Sequence, residues 1–449
     1  MSTNNSSTNL VTVVVVQQTN GTTRNKYNPY NNRNVAHPTT DAETLIHLLK
    51  GSLGTGILAM PQAFANAGLL FGLIATFSVG LISTYCVNIL VQCAHQLCQR
   101  RKLPSLGFAD VAEVAFLEGP QKVQKFASTA RFMVNTFLVL DLLGCCCVYI
   151  VFVTSNLKQV FDLYIDSGID VRIYMLCCLP PLIAINMIRN LKYLAPLSMV
   201  ANVCIAMGIA ITIYYLFQDL PPFDSRPAFA PVTKWPLFFG TAIFALEGIG
   251  VVMPLENNMK TPENFLGCPG VLNIGMFVTV MLYSILGFLG YLRFGAATKG
   301  SITLNLPDEL LAQSVKVMIA IAIFFTYALQ FYVPLEIIWK ASKHRFSSHP
   351  ALAEYTIRIV LVCGSVFVAI LVPNLGPFIS LVGALCLSFL GLMFPSIVEM
   401  VVFWDVPGGL GKGYWVIWKN IFVILFGFVG FLTGSYTSLL EIVGSYGTS

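Results

Sequence analysis

The sequence predicts an all-α polytopic membrane protein, built as two five-helix halves of opposite orientation followed by an eleventh helix. Three observations carry this. The chain of 449 residues is 56% apolar and only 10% charged, with a mean hydropathy of +0.74, too little charge for the surface of a soluble domain of this size. Apolar runs long enough to cross a hydrocarbon core of about 30 Å recur between positions 44 and 440. Two of those runs, five spans apart, are interrupted in the same place by glycines and polar residues.

Taken in order, residues 1–40 are rich in Asn, Thr and Ser and read as a disordered cytosolic tail. Their one apolar run, 11–16, has no basic segment before it and no cleavage site after it, so it is not a signal peptide. Sequons begin at Asn4, Asn5 and Asn20, but a cytosolic tail would leave them unused. Residues 41–449 form one transmembrane domain, with spans at about 44–67, 69–95, 129–155, 171–188, 194–217, 235–257, 271–294, 310–339, 355–372, 377–402 and 414–440. With the amino terminus in the cytosol, 18 Lys and Arg residues fall on inner segments and seven on outer ones, which sets the orientation by the positive-inside rule. An odd number of spans then places the carboxyl terminus outside or in a lumen. The twelve cysteines lie in helices or at their cytosolic ends. Cys145, Cys146 and Cys147 point about 100° apart on a helix, so they read as packing residues and no metal site is expected.

The first interruption holds Gly51, Ser52, Gly54, Thr55 and Gly56; the sixth span repeats it with Phe244, Ala245, Glu247, Gly248 and Ile249. Backbone groups without an intrahelical partner are costly in hydrocarbon and need protein, water, an ion or a substrate. Because five is odd, the halves are inverted, and the two breaks cross at the bilayer midplane, where transporters of this design bind their cargo. The helix piece beginning near Gly56 offers free N–H groups, which suit a carboxylate. The piece ending near Ala245 and Leu246 offers free carbonyls, which suit an ammonium. Together they fit the main chain of an α-amino acid. Close helix packing is the plainer account of one glycine cluster; two clusters in equivalent positions disfavour it. A phosphate loop is excluded, since neither stretch joins a strand to a helix.

The stretch 43–56, with His47, Lys50, Gly51, Gly54 and Gly56, and the stretch 244–257, with Glu247, Gly248, Gly250, Pro254 and Glu256, together resemble the proton-coupled amino acid transporters of the amino acid/auxin permease superfamily. The resemblance spans about residues 40–445. It implies a LeuT-like (APC-type) arrangement, and small neutral amino acids such as alanine, glycine and proline as substrates. It also implies residence in the plasma membrane or, for some members, in lysosomes with an influence on growth signalling. By the same resemblance, His47 matches the first-helix histidine associated with proton coupling.

Histidine changes charge in the physiological pH range, and His47 lies one turn before Gly51. Position alone leaves a coupling role and an indifferent interfacial histidine equally open; the family match favours coupling. Glu247 and Asp141 are further proton-coupling candidates, because acids inside a membrane are functional by default. Lys50 either pairs with one of them or points to the cytosol. His37, His95, His344 and His349 are expected to be solvated, and Glu336 and Glu399 to reach for the headgroups. Thr326 is the one obvious hydroxyl in the middle of the eighth span, thin provision for sodium, so the expected coupling ion is the proton and no cofactor is expected. Paired catalytic aspartates, a metal-ligand cluster and a nucleophile with its base are all missing from the sequence, which argues against an enzyme. The expected partners are amino acids, protons and the bilayer, not nucleic acid. The tail also permits growth-signalling partners, and with them an alternative: a sensor of amino acids with little flux.

Overall fold

The computed structural model describes residues 27–35, 37–52, 54–165, 168–188, 195–246, 248–346 and 349–446. Among them the regular structure is helical, apart from an isolated bridge between Thr39 and Met259. The first span is α1 (Asp41–Ser52) and α2 (Thr55–Ala67); the second is α3 (Leu69–Arg101), followed by a short helix, α4 (Phe108–Glu118). The third, fourth and fifth are α5 (Ala127–Tyr164), α6 (Val171–Asn186) and α7 (Ala195–Leu216). The sixth is again split, into α8 (Trp235–Leu246) and α9 (Ile249–Asn257). Then come α10 (Val271–Phe294), α11 (Leu310–Ser342) and α12 (Pro350–Leu371). The tenth span is composite: α13 (Leu375–Val382), a π-helical stretch (Gly383–Met393) and α14 (Phe394–Phe403), and the eleventh is α15 (Trp415–Tyr446).

By length and composition, nine of the described helices can cross a membrane. The fourth span is shorter, at 16 residues, and the first is divided into pieces of 12 and 13. With these two, the eleven expected segments are present. The chain is a multi-pass membrane protein, and large apolar side chains such as Phe132, Met199, Phe367 and Phe422 stand at 60–70% exposure on its outside, a surface that only lipid covers comfortably.

The two broken spans form the centre. Along α2, residues from Thr55 to Ala67 are mostly buried, and along α8 those from Leu237 to Leu246 are too. The halves lock through an edge-on contact of Phe64 with Phe238, whose ring centroids lie 6.4 Å apart. At the end of α2, Gly68 turns the chain into α3 with φ +93°, a conformation L side chains rarely adopt. A Cβ there would also meet the backbone of Ala230 at 2.6 Å, because the 227–230 stretch bonds directly to this turn: Leu69 N donates to Pro227 O and Ala230 N to Ala67 O. The inverted halves are thereby stitched together beside the core.

The tail expected to run to residue 40 is corrected over its last part; residues 1–26 lie outside the described residues. From Tyr30 onward the chain is bonded to the body. Arg33 donates to both carboxylate oxygens of Glu256, at 2.9 and 3.1 Å, to the Glu256 carbonyl at 3.0 Å, and to Pro104 O at 3.0 Å. Thr39 pairs with Asn258 and Lys260 through its backbone, and Asp41 accepts from Thr261 at 2.6 Å and Asn264 at 2.7 Å. His95, expected in solvent, is part of the same cluster: its Nε2 lies 2.8 Å from Glu256 Oε1, and its Nδ1 shares a hydrogen bond of 2.9 Å with the Tyr30 hydroxyl. Burial and the Glu256 carboxylate push the Tyr30 phenol up to about 12, so it keeps its proton. The physical reason for the correction is that a buried Glu256 requires partners, and the segment before α1 supplies them. This clasp joins the start of the chain to α3 and α9.

Candidate functional site

Both breaks leave helix ends uncapped. Gly54 precedes α2 in extended conformation and Gly248 precedes α9, and neither start has a side-chain cap. At the end of α1, the Ser52 carbonyl accepts from Gly54 N at 3.0 Å and from the buried Tyr283 hydroxyl of α10, while Ser52 Oγ donates to Leu48 O at 3.1 Å. The chain thus satisfies one end of the break itself. Among the described residues, the start of α2, with its N–H groups and positive end of the dipole, has no side-chain acceptor.

The breaks lie against each other. A Cβ built on Gly56 would fall 2.7 Å from Ala245 Cα, one on Gly51 would fall 3.0 Å from Val251, and one on Gly248 would fall 3.5 Å from Ser52 Oγ. Beside this contact is a cavity of about 170 Å³, below the roughly 300–1,000 Å³ of pockets for drug-sized ligands; its size suits a small solute. The first span contributes Gly51, Ser52, Gly54, Thr55 and Gly56, and the sixth contributes Phe244, Ala245, Gly248, Gly250 and Val251. From α5 come Leu138, Asp141, Leu142, Cys145 and Tyr149, a spacing that places them on one helical face. Gln330 and Val333 of α11 and Leu387 of the π-helical stretch complete it. The cavity therefore runs from the breaks toward the face that carries the clasp. On the opposite side Gln62 of α2 packs onto the backbone of Gly376.

Among the described residues, two buried polar atoms here have no hydrogen-bond partner: Thr55 Oγ1 and Asp141 Oδ1, on residues 2% and 7% exposed. Such orphans are uncommon in folded proteins. Both lie on residues that line the cavity.

The expected binding residues Gly51, Ser52, Gly54, Thr55, Gly56, Phe244, Ala245 and Gly248 are brought together, and Asp141 joins them. Glu247 lies outside the described residues, as does the side chain of Ile249. His47 is exposed on α1 and is not among the cavity residues. Lys50 donates from Nζ to Ser198 Oγ of α7 at 2.8 Å, and among the described residues it has no pairing with Asp141. Thr326 is already committed to Ala322 O at 2.9 Å. Glu336 meets Lys340, and Glu399 accepts from Lys419 and Asn420. Tyr149, Gln330 and Tyr283 were not foreseen. Tyr149 was readable as the residue two turns beyond Asp141 on the same face; a lone Gln or Tyr in an apolar span carries no comparable signal.

Two half-helices meeting at a small cavity inside an inverted repeat define a secondary transporter of LeuT-like fold. The inward-facing structure of Mhp1 has the same fold, with a TM-score of 0.59 at 12% identity over 92% of this chain and 91% of that one. The chain belongs to the transmembrane amino acid transporter protein family, whose profile matches residues 37–440; the family comprises transporters, not enzymes. It is 48% identical over 423 residues, 94% of this chain and 89% of the other, to the proton-coupled amino acid transporter-like protein pathetic of Drosophila melanogaster. It is 29% identical over 421 residues to the amino acid transporter AVT3C of Arabidopsis thaliana, covering 89% of this chain and 90% of that one.

Proposed function

We propose that this protein is a proton-coupled symporter of small neutral amino acids, of the alanine, glycine and proline type, working by alternating access. The observation that carries the reading is the pair of adjoining breaks: an uncapped helix start at Gly54–Gly56 for the substrate carboxylate, and the helix end at Ala245 and Leu246 for its ammonium, both on one small cavity. The name of the Drosophila relative supports proton coupling. One proton moving down about 100 mV releases about 2.3 kcal/mol, and each pH unit adds about 1.36 kcal/mol. That sum sustains a gradient of roughly several hundred-fold for a neutral substrate.

His47, Glu247 and Asp141 are the groups we assign to the proton. His47 stands one turn before the break, four residues after Glu43 on the same short helix, where a change of charge acts on α1 directly. The amino terminus is taken as cytosolic from the distribution of Lys and Arg, in the plasma membrane or in the lysosomal membrane. The clasp favours a second reading, a sensor with little flux, because it bonds the segment following the tail to α9. The test is uptake of labelled alanine, glycine and proline at external pH of about 5.5 and about 7.5, with and without sodium. Acid-stimulated, sodium-independent uptake that His47→Ala abolishes is the expected result. Full pH dependence in that variant would remove His47 from the mechanism; absence of uptake in both membranes would transfer belief to the sensor.

A further inference from the structure

We propose that Asp141 makes a cation-accepting subsite of this cavity, filled by a proton when a neutral amino acid is carried and by the substrate's own side-chain charge when a lysine- or arginine-like amino acid is carried. The inference rests on the amino acid symport proposed above and extends its substrate class.

Asp141 is 7% exposed, lines the cavity, and has a carboxylate oxygen with no hydrogen-bond partner among the described residues. Among the described residues lining the cavity none is Lys, Arg or His. Lys50, at the edge of the first break, is held away by Ser198. The titratable groups that face the carboxyl are Cys145, Cys146 and Tyr149 on its own helix and Cys386 from the tenth span. The first span presents the neutral Ser52 and Thr55, and the eighth presents Gln330. Glu247 of the sixth break lies outside the described residues. A carboxylate removed from water without a counter-charge is strongly disfavoured. It therefore takes up a positive charge whenever the cavity is shut, and nothing in the described lining supplies one.

The position says which charges can reach it. Tyr149 marks the level of the break, its hydroxyl lying 3.7 Å from where a Cβ on Gly54 would be. Asp141 is eight residues earlier on α5, about two turns of backbone toward the clasp, and lines the same cavity. A substrate whose main chain is held at Gly54–Gly56 and whose side chain is a methyl leaves that interval to water and a proton. A long side chain with a terminal ammonium or guanidinium extends along it toward the Asp141 carboxylate, which lines the same cavity. The walls between carry no side chain at Gly51, Gly248 and Gly250, with Leu138 3.9 Å from a Cβ position on Gly250. Either cargo then moves one positive charge per cycle, but only the neutral one moves a proton.

The test uses the full chain in proteoliposomes containing a pH-sensitive dye, with labelled alanine and lysine. For the unaltered protein, alanine uptake acidifies the lumen and rises with external acid, whereas lysine uptake proceeds without acidification. Asp141→Asn is expected to lower the lysine-to-alanine uptake ratio about tenfold, the ratio that loss of one charge-assisted contact produces, and to remove acid stimulation. Asp141→Glu is expected to restore part of both. Lysine that is neither carried nor competes with alanine overturns the subsite, as does lysine uptake that acidifies the lumen as alanine does, or an Asn variant with the original ratio and pH dependence. Failure of the unaltered protein to carry alanine at any pH defeats the symport reading itself and the subsite with it.

Discussion

Gly56 of α2 and Ala245 of α8 touch across the two breaks, so closely that a methyl on Gly56 would stand 2.7 Å from Ala245 Cα. The opposing backbone cannot yield as a flexible side chain would. Gly56→Ala should therefore cost about 1–3 kcal/mol by overpacking and push the half-helices apart. Thermal unfolding in detergent and alanine uptake check this: a lower melting temperature with most uptake lost is expected. Normal uptake at normal stability would show that the contact is not needed.

Tyr283→Phe removes a single oxygen, the donor to the Ser52 carbonyl. The ring stays buried in α10, and the carbonyl keeps only its bond from Gly54. A loss of about 0.5–1.5 kcal/mol is expected for one of the two bonds to this buried acceptor, with uptake changed because the end of α1 is no longer tied to α10. A variant matching the original in both melting and uptake kinetics would refute the link.

How much of this could be read from the chain depends on the range of the signal. The breaks were legible because glycines and hydroxyls inside apolar runs are local anomalies, and Gly51, Ser52, Gly54, Thr55 and Gly56 do line the cavity. The exposure of His47 was also written locally: Thr44, Leu48 and Ser52, spaced by four, form the buried row of α1, and His47 is off it. Tyr283 and Gln330 were silent, since one polar residue in an apolar helix does not declare its neighbour. The clasp was hidden for a different reason. Arg33 and Glu256 are 223 residues apart, so composition classed the first as tail and the second as a helix end.

Arg33 and Glu256 form an ion pair with side chains only 5% and 1% exposed. Removing one partner of such a pair typically costs about 3–5 kcal/mol, since the other charge stays buried. Arg33→Ala and Glu256→Ala should each lower the melting temperature, and the double variant should lose less than the two losses added, by about 0.5–3 kcal/mol. Additive losses would mean the pair contributes no coupling.

Lys316 in α11 is fully buried, with Nζ 3.2 Å from Leu306 O and 3.9 Å from the exposed Asp308 carboxylate. Replacing a buried charge by an apolar side chain of similar length is commonly neutral or stabilising. Lys316→Met should keep or raise the melting temperature, and Asp308→Asn should change stability by less than about 1 kcal/mol. A marked loss in the Met variant would show that the amine holds the 306–316 region in place.

The clasp also serves as a test of threading. Arg33 precedes the first crossing of the bilayer, His95 lies near the end of the second, and Glu256 at the end of the sixth; all three meet on one face only because each intervening count is even. A helix skipped or inserted backwards during synthesis would strand Glu256 on the far side of the membrane, with a buried acid and no guanidinium to meet it. At about 5–20 residues per second, roughly 11–45 s separate the appearance of Arg33 from that of its partner. The bond thus closes only on a chain whose first six passes were laid down in the right sense, and it records that history in the finished protein.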